Sequence, residues 1–87
     1  MEEYDGEWKN DKKHGQGIFK KFNEYGMIVE AYKGEWENDM KDGKGTLEIF
    51  RAETNILEKY DGHWLKDKKY GHGLLRIFDK KNGEIID

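Results

Sequence analysis

Between Tyr4 and Lys9 the chain alternates, residue by residue, between positions suited to packing and positions suited to water. Tyr4, Gly6 and Trp8 fall on one side, and Asp5, Glu7 and Lys9 on the other. A period of two marks a strand with one face turned to a core. The polar run Asn10-Asp11-Lys12-Lys13 then predicts a four-residue turn, and Gly15 to Phe22 a strand running back. A turn over Asn23-Glu24-Tyr25-Gly26 leads through Met27 to Lys33 into a second alternating segment, Tyr32-Lys33-Gly34-Glu35-Trp36. The same course continues to the end. Turns are expected at Asn38 to Lys41 and Lys66 to Lys69 on one edge, and at Arg51 to Asn55 and Lys80 to Gly83 on the other. No window keeps apolar residues at helical spacing, and glycine interrupts every segment. The expected fold class is therefore all-β, a single elongated antiparallel meander of β-hairpins.

The alternation itself recurs. Tyr4, Tyr32 and Tyr60 stand 28 residues apart, and Trp8, Trp36 and Trp64 keep the same step. Of the 11 glycines, nine fall into three in-phase sets: Gly6/Gly34/Gly62, Gly15/Gly43/Gly71 and Gly17/Gly45/Gly73. A fixed period of this size implies stacked copies of one supersecondary unit, each covering its neighbour. The whole of 1–87 is thus expected to be one domain, with repeats at 4–31, 32–59 and 60–87.

Tyr-x-Gly-x-Trp, six polar residues and then Gly-x-Gly, three times over, resembles the MORN repeat, and the resemblance covers nearly the entire chain. The period is longer than is usual for that family. The added length lies between Gly-x-Gly and the next Tyr, which implies longer hairpins on that edge. The resemblance implies a scaffolding or tethering role in cytoskeletal, ciliary or membrane-contact assemblies, or an accessory segment of a lipid kinase or methyltransferase. It also implies a link to membrane phospholipids.

A register follows from requiring like to oppose like. A four-residue turn sets Lys9 against His14, Trp8 against Gly15, Gly6 against Gly17 and Tyr4 against Phe19. Setting Phe19 against Tyr32 in the next hairpin makes every cross-sheet row uniform. One row holds Trp8, Trp36 and Trp64 alternating with Gly15, Gly43 and Gly71. The next holds Gly6, Gly17, Gly34, Gly45, Gly62 and Gly73, and the third Tyr4, Phe19, Tyr32, Leu47, Tyr60 and Leu75. A one-residue slip would invert every side chain, so this agreement argues for the register. Without Cβ atoms the sheet can bend along the glycine row and close its Trp row onto the Tyr/Phe/Leu row, so that one sheet makes its own core.

The opposite face is mostly charged. Glu7, Gln16, Glu35, Lys44, His63 and His72 form one expected row, and Glu3, Lys20, Ala31, Glu48, Lys59 and Arg76 another. At its far end Phe22, Val29, Phe50, Leu57, Phe78 and Ile85 make an apolar row. That row is either an interaction surface or a second small core beneath curled hairpins. Lys12, Lys13, Lys41, Lys68 and Lys69 gather on one edge, where anionic headgroups would dock, although Asp11, Asp39 and Asp67 interleave with them.

Composition narrows the chemistry. The chain has 34% hydrophobic and 40% charged residues, which alone leans toward disorder, but the in-phase aromatics override that. With no Cys and no Ser, no nucleophile, base and orienter can be assembled, so an enzyme is not expected. His63 opposite His72 could chelate a metal or be two surface histidines, and no further ligand completes a usual set, so no metal or cofactor is assigned. The Gly-x-Gly pairs lack the following helix and Lys-Ser/Thr of a phosphate loop. A net charge of -3 argues against nucleic acid. No apolar run reaches the ~20 residues of a membrane span, and the start is not a signal peptide. The expectation is a cytoplasmic, non-catalytic scaffold, with cytoskeleton or membrane as its candidate attachments. It would bind a protein partner or a second copy through its concave aromatic groove, its Phe row or an open sheet edge. The alternative is a phospholipid-headgroup module on an anionic membrane surface.

Overall fold

The computed structural model describes residues 1–86; Asp87, the last position expected in the third repeat, lies outside the described residues. The strands are β1 (Glu2–Lys9), β2 (Lys12–Phe22), β3 (Ile28–Glu37), β4 (Met40–Arg51), β5 (Ile56–Leu65), β6 (Lys68–Asp79) and β7 (Glu84–Ile85). Among the described residues they form one antiparallel sheet in chain order, seven strands with no crossover. The extents are 42 × 33 × 15 Å. Twelve residues at about 3.3 Å each account for the longest dimension, and the shortest leaves room for a single layer.

The glycine and tyrosine rows have the expected register. Gly6 pairs with Gly17, Gly17 with Gly34, Gly34 with Gly45, Gly45 with Gly62 and Gly62 with Gly73. Tyr4, Phe19, Tyr32, Leu47, Tyr60 and Leu75 follow in the same way. Between repeats Gly15 meets Trp36 and Gly43 meets Trp64. Within each repeat the tryptophans are displaced from their expected partners: Trp8 pairs with Lys13, Trp36 with Lys41 and Trp64 with Lys69.

Two local features cause that displacement. The turns are shorter than expected, only Asn10-Asp11, Asn38-Asp39 and Lys66-Asp67, with positive φ at every one of these residues. Two consecutive left-handed residues make the hairpin turn whose twist matches that of its strands, and Asn and Asp tolerate it best after Gly. The residues thereby freed enter the second strand as a bulge at Gly15, Gly43 and Gly71, where φ is 65°, 101° and 64°. In the first two repeats a carboxylate fills the bulge. Glu7 accepts the Gln16 backbone N–H at 2.7 Å, and Glu35 accepts that of Lys44 at 2.5 Å. The expected row of freely solvated charges therefore includes two side chains bonded to backbone. The third repeat has His63 in place of this glutamate.

The core is an aromatic ladder over the glycine row. Residues four apart on a strand lie about 13 Å apart. Yet the rings of Tyr4 and Trp8 are 4.9 Å apart, those of Tyr32 and Trp36 5.0 Å, and those of Tyr60 and Trp64 5.4 Å, all edge to face. They lean together across the intervening glycine. A Cβ built on Gly17, Gly45 or Gly73 would enter the ring of Tyr4, Tyr32 or Tyr60. These glycines are thus required by a ring lying on the backbone as well as by any bending of the sheet. The buried hydrophobic residues are Tyr32, Trp36, Tyr60 and Trp64, with Tyr4, Phe19 and Leu47 packed against them. Trp8 and Leu75, expected in the core, are instead 57% and 48% exposed. Trp36 and Trp64 are each covered by the repeat before them, and Phe19 and Leu47 by the repeat after them. Trp8 and Leu75 lie on β1 and β6, toward the outer edges of the described sheet.

Candidate functional site

Two features of the sheet are built by more than one repeat: the joint where one repeat meets the next, and a groove at the far end of the opposite face.

At the first joint Trp36 lies edge-on to Tyr4 of the preceding repeat at 5.6 Å and to Phe19 at 6.2 Å. Its indole N–H donates to the Gly17 carbonyl at 3.1 Å. At the second joint Trp64 meets Tyr32 at 5.6 Å and donates to Gly45 at 3.1 Å. A buried indole N–H needs such a partner, and a glycine carbonyl unshielded by a side chain supplies it.

Lysine closes each joint. Lys13 Nζ stands 5.5 Å from the Tyr4 ring, 5.7 Å from Phe19 and 5.5 Å from Trp36, a cation enclosed by three π faces. Its backbone N–H donates to Asp39 Oδ1 at 2.7 Å, the Asp39 N–H donates to the Lys13 carbonyl at 3.1 Å, and their charged ends are 3.9 Å apart. Lys41 repeats the arrangement on Tyr32, Trp64 and Asp67. The turn aspartate of one repeat thus clasps the strand of the repeat before it. Lys69 stacks on Tyr60 at 5.0 Å, and among the described residues no carboxylate lies within 4 Å of it.

This placement changes the expectation of a lysine edge for anionic headgroups. Lys13 and Lys41 are turned into the joints with side chains only 23% and 17% exposed, while Lys12, Lys68 and Lys69 are exposed. Spacing alone did not reveal the aromatic box, although the in-phase recurrence of Asp11/Asp39/Asp67 with Lys13/Lys41/Lys69 was the available signal.

On the opposite face the apolar row is present with one shift. Phe50 pairs with Leu57, Leu57 with Phe78 and Phe78 with Ile85. Phe22 pairs with Ile28 rather than Val29, because β3 is bulged between Ile28 and Glu30. Asn23 organises that loop, its side-chain oxygen accepting the N–H groups of Tyr25 and Met27. The row is neither flat surface nor closed core. Phe22, Val29, Phe50, Leu57 and Phe78 are half-buried and Ile85 is 60% exposed. Met27, Ile28, Val29, Ala31, Phe50 and Leu57 line an open groove of about 640 Å³, with Lys20, Lys80, Glu30 and Glu48 also lining it.

His63, expected opposite His72, pairs with Tyr70 because of the bulge, although both histidines line one shallow depression. Among the described residues no three His, Cys, Asp or Glu side chains gather as a metal site would require.

The clearest ionisation effect is in the ladder. Burial, reinforced by the Glu35 carboxylate, pushes the Tyr32 phenol from 10.0 up to about 12, and its O–H donates to the Glu35 carbonyl at 3.0 Å. Burial and Glu7 raise Tyr4 in the same sense. Above pH 10 the unfolded chain releases the phenol proton while the folded chain keeps it, so fewer protons are bound in the unfolded state. This contribution to stability is intact below the unfolded value of 10.0 and is lost as pH rises toward about 12. Urea denaturation across that window should show a falling midpoint, and Tyr32→Phe should flatten the fall. An unchanged pH dependence in that variant would contradict the assignment.

A single-layer sheet of hairpins, joined by in-phase Tyr, Trp, Lys and Gly, defines a β-repeat protein. The MORN repeat family model matches residues 4–23, 32–48 and 60–81, well over half of the chain, and the chain belongs to that family. MORN repeats are a non-catalytic repeat family of structural, protein-binding or membrane-binding modules. No curated protein matches the chain.

Proposed function

We propose that this chain is a non-catalytic scaffold that binds a protein segment carrying apolar side chains in the Phe50/Leu57 groove. The observation that carries the reading is the groove itself. A face occupied mostly by charged and polar side chains, with Ile18 and Leu74 among them, holds a recess lined by Met27, Ile28, Val29, Phe50 and Leu57. Contiguous apolar surface of this kind on a charged face favours a partner. Lys20 and Lys80 beside Glu30 and Glu48 supply polar positions of both signs, which fix orientation more than they add affinity.

The membrane alternative is weakened by the joints, which occupy Lys13 and Lys41. Surface attraction is worth about 1 kcal/mol per nearby lysine, and three exposed lysines of the expected five remain for it.

Selection from a displayed random-peptide library tests the reading. Peptides with apolar anchors should be enriched, should perturb backbone amide resonances around Val29, Phe50 and Leu57, and should be lost with Phe50→Glu. Enriched peptides indifferent to Phe50→Glu would overturn it. So would salt-sensitive co-sedimentation with phosphatidylserine vesicles that disappears on reversing Lys12, Lys68 and Lys69.

A further inference from the structure

The two outer edges of the described sheet carry complementary halves of the joint. At the first end Trp8 is 57% exposed, and Asp11 is exposed in the turn that follows. These are the positions that Trp36 and Asp39 hold one repeat later, where they complete the first joint. At the other end, β6 presents Lys69 stacked on Tyr60, the carbonyl of Gly73, and Leu75 at 48% exposure. These match Lys13, Gly17 and Phe19, which receive Trp36 and Asp39.

We propose that copies of this chain associate head to tail, β1 of one copy pairing with the free edge of β6 of the next. The contact reproduces the internal joint. In the register by which β2 receives β3, Tyr4 of the incoming copy falls opposite Leu75, Gly6 opposite Gly73 and Trp8 opposite Gly71. Trp8 then lies against Tyr60 and Leu75 and donates its indole N–H to the Gly73 carbonyl, while Asp11 reaches the backbone and ammonium of Lys69. Every donor, acceptor, ring and charge in this contact has a counterpart already made twice within the chain. β7 holds the end of the β6 edge that Met1 to Glu3 would occupy, so one of these short segments leaves the sheet when the copies join. The two surfaces differ, so the contact is heterologous, and on a single-layer sheet extended in one direction each added copy presents a fresh edge to the next. Exposed strand edges are the usual templates for such pairing.

This inference rests on the joints and not on the groove, so either can fail alone. The test uses the full 87-residue chain in sedimentation velocity over a wide concentration range. The wild type should form a concentration-dependent series that extends past the dimer. Trp8→Ala and Leu75→Glu alter exposed side chains, so circular dichroism and the emission of Trp36 and Trp64 should be retained while each variant alone sediments as a monomer. Mixed together, the two should form a one-to-one heterodimer, because each keeps the end that the other has lost. A wild type that is monomeric throughout would overturn the proposal. A wild-type assembly that stops at a dimer, or a mixture that yields no heterodimer, would do the same.

Discussion

Replacing Trp36 with alanine should destabilise the protein by about 3–5 kcal/mol, and the same change at Trp8 by about 1 kcal/mol or less. Trp36 is 6% exposed and lies edge to face with Tyr4, Phe19 and Tyr32, and it donates to Gly17. Its removal opens a cavity between the first two repeats and leaves the Gly17 carbonyl without its donor. Trp8, 57% exposed, touches mainly its own Tyr4. Domains are held by about 0.05–0.15 kcal/mol per residue. For 87 residues the change at Trp36 therefore removes a large part of the total. Urea midpoints for the two variants give the comparison, and similar losses at both sites would refute the account of the joint.

The second large effect is expected at Gly45. A Cβ there would lie inside the ring of Tyr32, which has no exposed surface and is held by its bond to Glu35. Gly45→Ala must expel that ring or part β3 from β4. It should cost about 3 kcal/mol or more, above the usual range for overpacking, because the tyrosine loses its own packing as well. Gly26→Ala is the control. At Gly26 φ is 77°, but a new methyl would meet no atom within 4 Å. Only the left-handed backbone resists it, at about 1 kcal/mol. Thermal or urea unfolding that ranked Gly26 above Gly45 would show that the ring does not rest on the glycine.

The relation between sequence and structure divides along a physical line. Pairing of Gly6 with Gly17, or of Tyr32 with Phe19 and Leu47, was legible because identical residue types recur at one step and a slip would turn a whole face outward. The position of Trp8 opposite Lys13 was not. The run Asn10 to Lys13 is polar throughout, and polarity does not distinguish a two-residue left-handed turn from a four-residue one. Gly15 could equally have been a plain strand residue, and its positive φ carries the bulge. Lys13 and Lys41 looked like surface charge because a long side chain leaves no record in sequence of the ring it lies upon. Trp8 and Leu75 show the remaining limit. A repeat motif states what a residue does when a neighbour is present, and these two stand where none is described. The groove was legible only as the Val29, Phe50 and Leu57 part of the apolar row, and its depth depends on the Asn23 loop and on the half-burial of Phe50 and Leu57.

Every strand bonds only to the strands before and after it. Each repeat contributes two of them, and strands are spaced about 4.8 Å apart, so equivalent atoms of successive repeats recur at a pitch of about 10 Å. The molecule is graduated like a rule. Phe50 and Phe78, each paired with Leu57, are held at that pitch by backbone hydrogen bonding, whatever side chains stand beside them.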